Sequence, residues 1–370
     1  MSATRKTILV SVTNDLVADQ RVHKTATTLA EEGWDVCLIG RRLPESAPVS
    51  RAYRTYRMRL PFRKNFGFYA TYNIRLFLHL LFARCDALWA NDTDTLPANF
   101  LASLIRRKPL VFDAHELFPE VPELADRPRV RKFWETLERL ILPRLRYSCT
   151  VCQSIADYYR KRYGLDMTVI RNIPAGRPAP ARPAYTPGRR PLLLYQGAVN
   201  IGRGIEECIE LVENDPRPEL LIIGTGDIAE EIQARITDKG LENRVKMTGR
   251  IAMERLGAYT VSADIGLILL HDHGLNYYYS LPNRIFDFLY AGVPVIASDF
   301  PEIRRVVATY GTGVLVPDLR VETLRAAMDE LLRHPIPPER FERAREELNW
   351  EKESAGIRRI SDALLGKRVE

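Results

Sequence analysis

Residues 279–299 combine a backbone geometry that suits phosphate with a side chain that suits hydroxyl groups. Ser280 is a residue type preferred at helix N-caps, so a helix is predicted to begin there. The free N–H groups at Ser280–Leu281 and the positive end of the helix dipole favour an anion. Arg284 adds a cation on the first turn, and the Asp287 carboxylate follows one turn later. The segment therefore predicts a nucleotide site.

Three other loops with ligand-type residues follow predicted strands in the second half of the chain. Glycines let the backbone approach a ligand closely, an arginine can neutralise a phosphate, and a free backbone segment can pair with the edge of a base. The candidate donor-binding residues on these loops are Gly197, Arg203, Gly204, Gly224, Gly226, Arg250 and Ile251. One glycine-rich turn alone is common, but four such loops at one edge of one sheet are a stronger signal.

Alternating strand and helix patterns must position these loops. The first half has predicted strands at 7–12, 35–39, 87–90, 110–113 and 149–152, with helices at 21–32 and 96–105. The second half has predicted strands at 192–196, 219–223, 245–248, 265–270 and 293–297, with a helix at 206–214. Such alternation is typical of βαβ units, which form a parallel sheet with helices on both faces.

We therefore predict an α/β fold of two Rossmann-like, doubly wound domains that face each other across a ligand-binding cleft. A chain of 370 residues is too long for one ordinary core, which agrees with two domains. The predicted parts are a first domain at 1–175, a proline-rich linker at 176–191, a second domain at 192–345, and a C-terminal helix at 346–370 that packs back toward the first domain.

The composition, with 46% hydrophobic and 27% charged residues, is typical of a soluble globular protein. No signal peptide is visible, and no stretch approaches the roughly 18 apolar residues of a membrane span. Five cysteines without a disulfide-rich framework favour a reducing cytoplasm. Cys149 and Cys152 form a C-x-x-C that is compatible with redox or metal chemistry, but without a second pair or a histidine nearby we expect buried structural thiols.

The net charge of +7 is concentrated in residues 41–84, where ten arginines and lysines accompany one acid, Glu45. Aromatic and aliphatic residues are interleaved with them, which fits a face resting on anionic lipid. The alternative is a core helix at 74–84 behind a solvated basic loop. Nucleic acid is not expected, because none of its common binding motifs is present. We expect a cytoplasmic protein that binds the inner face of a membrane peripherally.

The order of motifs in the second half resembles the nucleotide-sugar-binding domain of the GT-B glycosyltransferases, particularly the retaining family 4, or glycosyl transferases group 1. The resemblance spans residues 192–320. The matching motifs are Gly197…Arg203-Gly204, Gly224-Thr225-Gly226, Val245…Gly249, Leu281-Pro282…Asp287 and Ala291-Gly292-Val293-Pro294-Val295. The first half agrees in outline through Asp19-Gln20-Arg21-Val22 and Phe112-Asp113-Ala114-His115-Glu116.

The resemblance implies a role for several of these residues. Arg203 takes the place of the family's lysine, which holds the donor diphosphate, and Arg284 assists it. Both are candidate catalytic residues, because they would stabilise the charge on the departing diphosphate. Asp287 stands for the second acid of the family's E-x7-E motif, which binds ribose hydroxyls. The first acid of that motif is absent, since Tyr279 or, with a two-residue insertion, Tyr277 stands at its position. The donor sugar is therefore not implied by the family.

The first half contributes a candidate catalytic residue and three candidates on the acceptor side. His115 follows a predicted strand and could orient an acceptor or donor-sugar hydroxyl, although a histidine satisfied in the core is the alternative. Glu116 could act beside it or serve as a helix-start carboxylate. Asp19 and Arg21 open the first long helix, where a structural salt bridge is equally compatible.

Two histidines in the second half, His271 and His273, flank Asp272 in the manner of a metal pair. The resembling family needs no metal, so we expect no metal and no cofactor. His271 is placed near the diphosphate or simply in a loop.

The resemblance implies transfer of a sugar from a UDP- or GDP-sugar to a hydroxyl of a glycan or lipid-linked acceptor, with retention, in cell-surface polysaccharide or glycoconjugate synthesis. The absent first acid leaves open a catalytically silent GT-B partner subunit. A nucleotide-sugar 2-epimerase of the same architecture is a further alternative, although it needs acid–base carboxylates that are not evident.

Overall fold

The computed structural model describes residues 5–17, 19–174 and 190–367. The described residues up to Asn172 form one compact unit together with those from Glu351 onward, and those from Ile173 to Trp350 form a second. The predicted linker at 176–191 lies outside the described residues, apart from 190 and 191. Each unit contains a parallel sheet with helices packed on it, which confirms the predicted α/β class with two Rossmann-like units.

The first unit is built on a seven-stranded parallel sheet with the order β3-β2-β1-β4-β5-β6-β7. Its strands are β1 Thr7–Asp15, β2 Asp35–Arg42, β3 Arg54–Arg59, β4 Ala87–Asn91, β5 Leu110–Ala114, β6 Tyr147–Thr150 and β7 Thr168–Val169. Its helices are α1 Gln20–Glu31, α2 Asn65–Phe82, α3 Leu96–Arg106, α4 Pro128–Ile141 and α5 Gln153–Tyr163, with short 3₁₀ turns at Phe118–Glu120, Pro122–Leu124 and Leu142–Arg144.

The second unit has a six-stranded parallel sheet with the order β10-β9-β8-β11-β12-β13. Its strands are β8 Leu192–Gln196, β9 Glu219–Ile223, β10 Val245–Met247, β11 Ile265–Ile268, β12 Val295–Ser298 and β13 Gly313–Val316. Its helices are α6 Ile205–Asn214, α7 Ala229–Asp238, α8 Met253–Thr260, α9 Leu275–Tyr278, α10 Arg284–Ala291, α11 Pro301–Tyr310, α12 Val321–Arg333 and α13 Pro338–Glu347.

The strand order in both units reverses beside the first strand of the sheet, between β1 and β4 and between β8 and β11. The central strands are buried on both faces, which explains why β4 and β8 read as continuous apolar runs rather than as alternating ones. In doubly wound sheets, ligands bind outside the carboxyl ends of the strands at such a reversal. The fold therefore singles out one edge of each sheet.

The basic stretch is more ordered than the sequence indicated. The sequence predicted a helix only at 74–84, whereas α2 begins at Asn65 and ends at Phe82. The strand β3 was not predicted, because its sequence, Arg-Thr-Tyr-Arg-Met-Arg, has too few apolar residues to indicate a buried strand. It is an edge strand that is held by pairing with β2. Two of its arginines are paired, Arg54 with Asp35 and Arg57 with Asp15, so the stretch is not simply a solvated loop.

The C-terminal helix, α14, spans Trp350–Leu365 and packs on the first unit. The indole nitrogen of Trp34 donates to the buried hydroxyl of Ser361 at 2.8 Å. Glu353 accepts from the backbone N–H of Arg171 at 2.7 Å and also pairs with the guanidinium of that residue. The helix lies so close to the sheet that Gly356 faces Ile170 with no room for a side chain.

All five cysteines are free and buried, including Cys149 and Cys152. Burial raises the pKa of the Cys149 thiol well above its usual value, which agrees with a structural thiol. Among the described helices, none combines the length and the apolar character that crossing a bilayer requires.

The close packing of α14 generates a prediction. Gly→Ala inside a helix normally stabilises by about 1 kcal/mol. Gly356→Ala should instead lower the free energy of unfolding by about 1–2 kcal/mol, because its Cβ would lie 2.8 Å from Ile170 Cγ1. Gly67→Ala is the matched control, since a Cβ there meets only the half-exposed Phe62 ring, which can move. Urea denaturation measures both; stabilisation by both variants would show that α14 does not pack as described.

Candidate active site

The second unit brings the four predicted loops together around one pocket of about 350 Å³ at the carboxyl edge of its sheet. The pocket is lined by the chain after β8, the chain after β9, residues 250 and 251, and the start of α10. The candidates that line it are Gly197, Gly224, Arg250, Ile251, Arg284 and Asp287. The arrangement results from the parallel sheet, because all these loops leave strands at the same edge.

Two glycines bring the loops of this pocket into close contact. Gly224 has a φ of +153°, and a Cβ on it would lie 1.7 Å from the carbonyl oxygen of Gly197. Gly197 has a φ of +143°, and its Cβ would lie 2.9 Å from Nη1 of Arg284. Any side chain at either position would separate the loops or displace the guanidinium. These glycines make room for one another and for Arg284.

Arg284 is a buried cation without a carboxylate partner in the described part of the chain. Its side chain is 8% exposed and lies over the ring of Tyr195, 4.8 Å from the ring centre. Nη1 donates two long hydrogen bonds of 3.4 Å, to the Tyr195 hydroxyl and the Gln196 carbonyl. Nε and Nη2 are buried and have no hydrogen-bond partner among the described residues. The guanidinium therefore lines the pocket with part of its donor capacity unsatisfied.

Arg203 lies close to Arg284 and is held by an aromatic ring. Its guanidinium stacks on Tyr277 at 4.6 Å from the ring centre, and its Nε is buried without a partner. Burial, and to a smaller extent the charge of Arg203, lower the pKa of Arg284. Two cations that repel each other and retain unused donors form a site that an anion would stabilise.

Asp287 lies on the first turn of α10 and is joined to a chain of polar side chains. The Gln196 amide donates to its Oδ2 at 2.9 Å, and the Thr260 hydroxyl donates to the amide oxygen of Gln196 at 3.0 Å. Gln196 is the last residue of β8 and is buried, so its amide holds the Asp287 carboxylate in a fixed position. The carboxylate lines the pocket as the sequence predicted.

The start of the helix differs from the prediction. The sequence predicted an N-cap at Ser280, whereas α10 begins at Arg284. The Ser280 hydroxyl donates to the Tyr277 carbonyl at 2.8 Å, and its N–H donates to the same carbonyl at 3.1 Å, so neither is free to bind phosphate. Both Ser280 groups are therefore bonded to the short helix α9, which contains Tyr277. Leu281 is half-buried, and its N–H makes no hydrogen bond within the described residues.

The remaining donor-side candidates fall into two groups. The backbone N–H and C=O groups of Arg250 and Ile251 form no hydrogen bond within the residues that the structure describes, and both residues line the pocket. Gly204 and Gly226, in contrast, are glycines because neighbouring residues leave no room for a Cβ. A Cβ on Gly204 would lie 2.4 Å from Leu269 Cβ, and one on Gly226 would lie 2.2 Å from the Val199 carbonyl oxygen.

The first unit places His115 between two carboxylates at the carboxyl edge of its sheet. Nδ1 lies 3.3 Å from Asp92 and Nε2 lies 3.5 Å from Asp113. Burial disfavours the imidazolium, but the two carboxylates outweigh it and raise the pKa of His115 to about 9. Nε2 is buried and has no hydrogen-bond partner in the described part of the chain. His115 is therefore held between two carboxylates, which favour the charged form of its ring.

Arg21 does not face the surface as an acceptor-side residue would. It is 4% exposed, donates to Asp113 at 2.6 Å, and donates to the Ile170 carbonyl at 2.7 Å. Burial alone would raise the pKa of Asp113, but Arg21 and then His115 hold it well below its usual range. The structural salt bridge that the sequence left open is the arrangement found, although its partner is Asp113 rather than Asp19.

The two other acceptor-side candidates both lie near the carboxylates of the first unit, because Asp19 interacts electrostatically with Asp92 and Glu116 with Asp94. Asp19 caps α1 by accepting from the N–H of Val22 at 3.1 Å, and it also accepts from the Asn14 amide at 3.0 Å. Glu116 follows His115 and lines an apolar groove between α2 and α4. Asp19 therefore has a capping function, and Glu116 lies beside His115 in sequence but borders a different surface feature.

His271 pairs with a carboxylate of α6 rather than with His273. The Nε2 of His271 lies 2.7 Å from a carboxylate oxygen of Glu207, and the two histidine rings are 5.6 Å apart. No group of three metal-binding side chains converges among the described residues.

Sequence reasoning missed three residues that shape the sites. Tyr195 and Gln196 were assigned only to a buried strand, although a polar residue at a strand end is a usable signal. Asp92 follows β4 directly at the strand reversal and has a φ of +59°, a backbone conformation that non-glycine residues adopt mainly at constrained sites. Its Oδ1 accepts from the His115 N–H at 2.7 Å.

Two Rossmann-like units, the second with an arginine-lined pocket at the carboxyl ends of its strands, define a GT-B glycosyltransferase fold. The family model for glycosyl transferases group 1 matches residues 181–348, and the model for glycosyltransferase family 4 matches residues 18–177. The chain belongs to the GT-B glycosyltransferases of the group 1 and family 4 type.

Individual relatives match over part of the chain. The GDP-mannose:cellobiosyl-diphosphopolyprenol alpha-mannosyltransferase of Xanthomonas oryzae is 27% identical over 41% of this chain and 39% of its own. The phosphatidyl-myo-inositol mannosyltransferase of Mycobacterium leprae is 29% identical over 45% of this chain and 42% of its own. The chain thus aligns with less than half of the length of either relative.

Solved structures match over nearly the whole chain and show the fold. Sucrose-phosphate synthase from Thermosynechococcus elongatus has a TM-score of 0.78 at 20% identity, covering 98% of this chain and 100% of that one. HepE from Anabaena, solved in complex with UDP-glucose, has a TM-score of 0.72 at 14% identity, covering 96% of this chain and 99% of that one.

The His115 cluster generates a prediction about pH. Because the pKa of His115 is raised from 6.5 to about 9, its stabilising contribution is complete below pH 6.5 and is lost as the pH rises through 9. Between pH 6.5 and 9.5, the free energy of unfolding of wild type should therefore fall by about 2–3 kcal/mol more than that of His115→Gln. Urea denaturation of both proteins measures the difference. The exposed His334→Gln is the control, and parallel pH profiles for wild type and His115→Gln would contradict the assignment.

Proposed function

We propose that the protein transfers a sugar from a UDP- or GDP-sugar to a hydroxyl of a glycan or lipid-linked acceptor, with retention. The observation that carries the proposal is the buried Arg284, which lines the pocket that collects the four loops and has donors without a partner among the described residues, with the second cation Arg203 close to it. Family membership supports the reaction class. The two relatives are named for transfer of mannose to diphosphopolyprenol- and phosphatidylinositol-linked acceptors, and the HepE structure contains UDP-glucose.

The donor diphosphate is assigned to the two arginines. Negative charge develops on the diphosphate as the bond to the sugar breaks, and fixed cations in a buried site stabilise that charge without reorganising. Tyr195 and Tyr277 hold the two guanidiniums by their ring faces, so that neither has to be ordered at the moment of reaction. The arginines then take the part that a metal ion plays in other leaving-group sites, and no cofactor is required.

The nucleoside is assigned to the other walls of the same pocket. Asp287 accepts ribose hydroxyls, and the Gln196 amide holds the carboxylate in place. The backbone groups of Arg250 and Ile251, which form no hydrogen bond with other described residues, offer a donor and an acceptor to the edge of the base. Because backbone groups can pair with either uracil or guanine, this arrangement is compatible with UDP and with GDP.

His115 is assigned to a sugar hydroxyl of the donor or acceptor. Asp92 and Asp113 pair with its ring through Nδ1 and Nε2, and because the 3.5 Å ion pair to Asp113 is not a hydrogen bond, Nε2 can donate to a sugar hydroxyl. With retention, the departing phosphate accepts the proton of the attacking hydroxyl on the same face of the sugar. The reaction then needs no glycosidase-type pair of carboxylates.

Membrane association is proposed for the first unit. Its basic stretch at 41–84 contains apolar side chains that the fold leaves in solvent, including Phe66 at 76% exposure and Phe82 at 80% exposure. Exposed apolar groups between arginines and lysines suit the interface of an anionic membrane. A protein of this kind would act at the inner face of the membrane, where lipid-linked acceptors are accessible, in cell-surface polysaccharide or glycoconjugate synthesis.

Substitution of the arginines tests the nucleotide site. Arg284→Ala and Arg203→Ala should each weaken UDP or GDP binding by about tenfold to a hundredfold, because each loses charge-assisted hydrogen bonds to phosphate. Isothermal titration calorimetry with both nucleotides measures the affinities. Arg304→Ala, which removes an arginine 60% exposed in the same unit, is the control. If wild type binds neither nucleotide, or both variants bind as wild type does, the assignment fails.

A donor screen then tests turnover. Purified protein is incubated with a panel of UDP- and GDP-sugars, and release of the free nucleotide is measured with and without a lipid extract as acceptor source. Release from one donor that is lost in Arg284→Ala supports transfer. Tight nucleotide binding without release from any donor would instead indicate a catalytically silent subunit.

Charge reversal tests the membrane proposal. Arg63→Glu with Lys64→Glu should lower binding to vesicles containing phosphatidylserine by more than about tenfold, since each basic residue near the surface contributes about 1 kcal/mol. Arg255→Glu with Arg333→Glu, at exposed positions of the second unit, is the matched control. Vesicle sedimentation at low and moderate salt measures the binding. Equal sedimentation with neutral and anionic vesicles would contradict the proposal.

A further inference from the structure

The first unit contains an apolar groove of about 1150 Å³ between α2 and α4. Twelve of its seventeen lining residues are apolar or aromatic, which distinguishes it from the polar nucleotide pocket of the second unit. The basic stretch covers only one wall, since the opposite wall belongs to α4 and the preceding 3₁₀ turns. The groove therefore shares α2 with the basic stretch, while its other wall lies outside residues 41–84.

The floor of the groove is a packed cluster of aromatic rings. Tyr69 meets Trp134 edge to face with ring centres 5.3 Å apart, and Phe118 meets Trp134 at 5.0 Å. Leu124 is also buried in this cluster. Such edge-to-face contacts give the floor a fixed shape. The groove is thus formed before any ligand binds, as in most small-molecule sites.

The walls of the groove expose apolar side chains to solvent. Phe66 and Ile74 on α2 are 76% and 60% exposed, and Val130 and Phe133 on α4 are 43% and 48% exposed. Contiguous exposed apolar groups of this size usually mark an interaction surface. Their burial on a hydrocarbon chain would be favourable by about 25 cal/mol per Å² of apolar surface removed from water.

Charges at the groove indicate what kind of molecule carries the hydrocarbon. Arg127 and Arg129 line the groove, are exposed, and have no ion-pair partner in the described ranges of the chain. Lys132 and Arg139 on the same helix are likewise exposed without an ion pair there. An apolar surface beside unpaired cations complements an amphiphile with an anionic head. It disfavours a second copy of this chain on the same face, because like charges would meet.

We infer that this groove binds the hydrocarbon chain of a phosphate-bearing lipid acceptor, with Arg127 and Arg129 pairing with the phosphate. The inference rests on the proposed function and specifies its acceptor. Glu116 joins the two features of the unit, because it lines the groove and directly follows His115 in the chain. An acceptor held by its lipid in the groove would therefore carry its head group toward the carboxyl edge of the sheet.

Calorimetric titration of the full chain with farnesyl diphosphate, a short soluble isoprenoid, tests the inference, with inorganic diphosphate as the head-group control. Wild type should bind farnesyl diphosphate about tenfold or more tightly than inorganic diphosphate, because only the former fills the groove. Equal affinity for the two probes would overturn the inference, since binding would then rest on charge alone.

Matched variants locate the binding. The double variant Phe66→Ser and Phe133→Ser removes one exposed aromatic ring from each wall of the groove. It should weaken farnesyl diphosphate binding about tenfold. Leu104→Ser with Ile105→Ser removes apolar groups of 58% and 61% exposure on α3, outside the groove, and should leave the affinity unchanged. Unchanged binding by the groove variant overturns the inference, as does an equal loss in both variants, which would indicate general adhesion of lipid. Phe66→Ser alone, at a side chain 76% exposed, provides the same test if the double variant does not fold.

Two parallel measurements separate the possible failures. Titration of the same preparation with UDP and GDP reports on the second unit; nucleotide binding without farnesyl diphosphate binding overturns only the groove inference. Sedimentation velocity detects self-association. A dimer that the groove variant dissociates, in a protein that does not bind farnesyl diphosphate, would assign the groove to a second copy and overturn the lipid inference.

Discussion

The second unit is organised around an uncompensated charge. Arg284 is 8% exposed, lacks a carboxylate partner in the described part of the chain, and lies near a second cation, Arg203. A buried charge without a partner is costly, so the fold supplies partial substitutes: the Tyr195 ring face and the Gln196 carbonyl. Gly197 and Gly224 exist as glycines because the guanidinium and the crossing loops leave no room for a Cβ. The remaining cost is one that an anionic ligand removes, and this links the fold to its ligand.

The first unit, in contrast, gathers carboxylates rather than cations. Asp92, Asp94 and Asp113 lie at the carboxyl edge of its sheet, and burial followed by the charge of Asp92 raises the pKa of Asp94 to about 8. Arg21 neutralises Asp113 from one side and His115 from the other. The two carboxylates that face its ring nitrogens orient the histidine and favour its charged form. Both units thus use the strand reversal to gather charged groups, cations in the second and carboxylates in the first.

Elements whose stability comes from local pattern were predictable from the sequence. Strands β8 and β9 were placed with their observed bounds, and α14 lies within its predicted segment, because continuous apolar runs and helical spacing reflect burial directly. The pocket loops were predicted because glycines after parallel strands must meet at one edge. The start of α10 was wrong, since the local preference of Ser280 for an N-cap lost to the short helix α9, which uses its N–H and hydroxyl. The strand β3 was missed because its stability comes from pairing with β2 rather than from its own residues.

Long-range partners were the other limit of sequence reasoning. Nothing in the sequence joins Tyr277 to Arg203, Gln196 to Asp287 or Asp92 to His115, because each pair is brought together only by the sheet. The stacking of Tyr277 on Arg203 nevertheless shows what the residue at the position of the missing acid of E-x7-E contacts. The acid's position, allowing for the insertion, is occupied by a ring that stacks on Arg203, the cation to which we assign the diphosphate. The departure from the family pattern lies within the cation site and leaves its arginines in place.

A structure of the protein with UDP or GDP bound would decide whether the two arginines hold the diphosphate. We expect diphosphate oxygens within hydrogen-bond distance of Nε or Nη2 of Arg284 and of the Arg203 guanidinium, with the ribose at Asp287 and the base against residues 250 and 251. A nucleotide bound with its diphosphate away from both arginines, or with the two guanidinium groups still unpaired, would contradict this assignment.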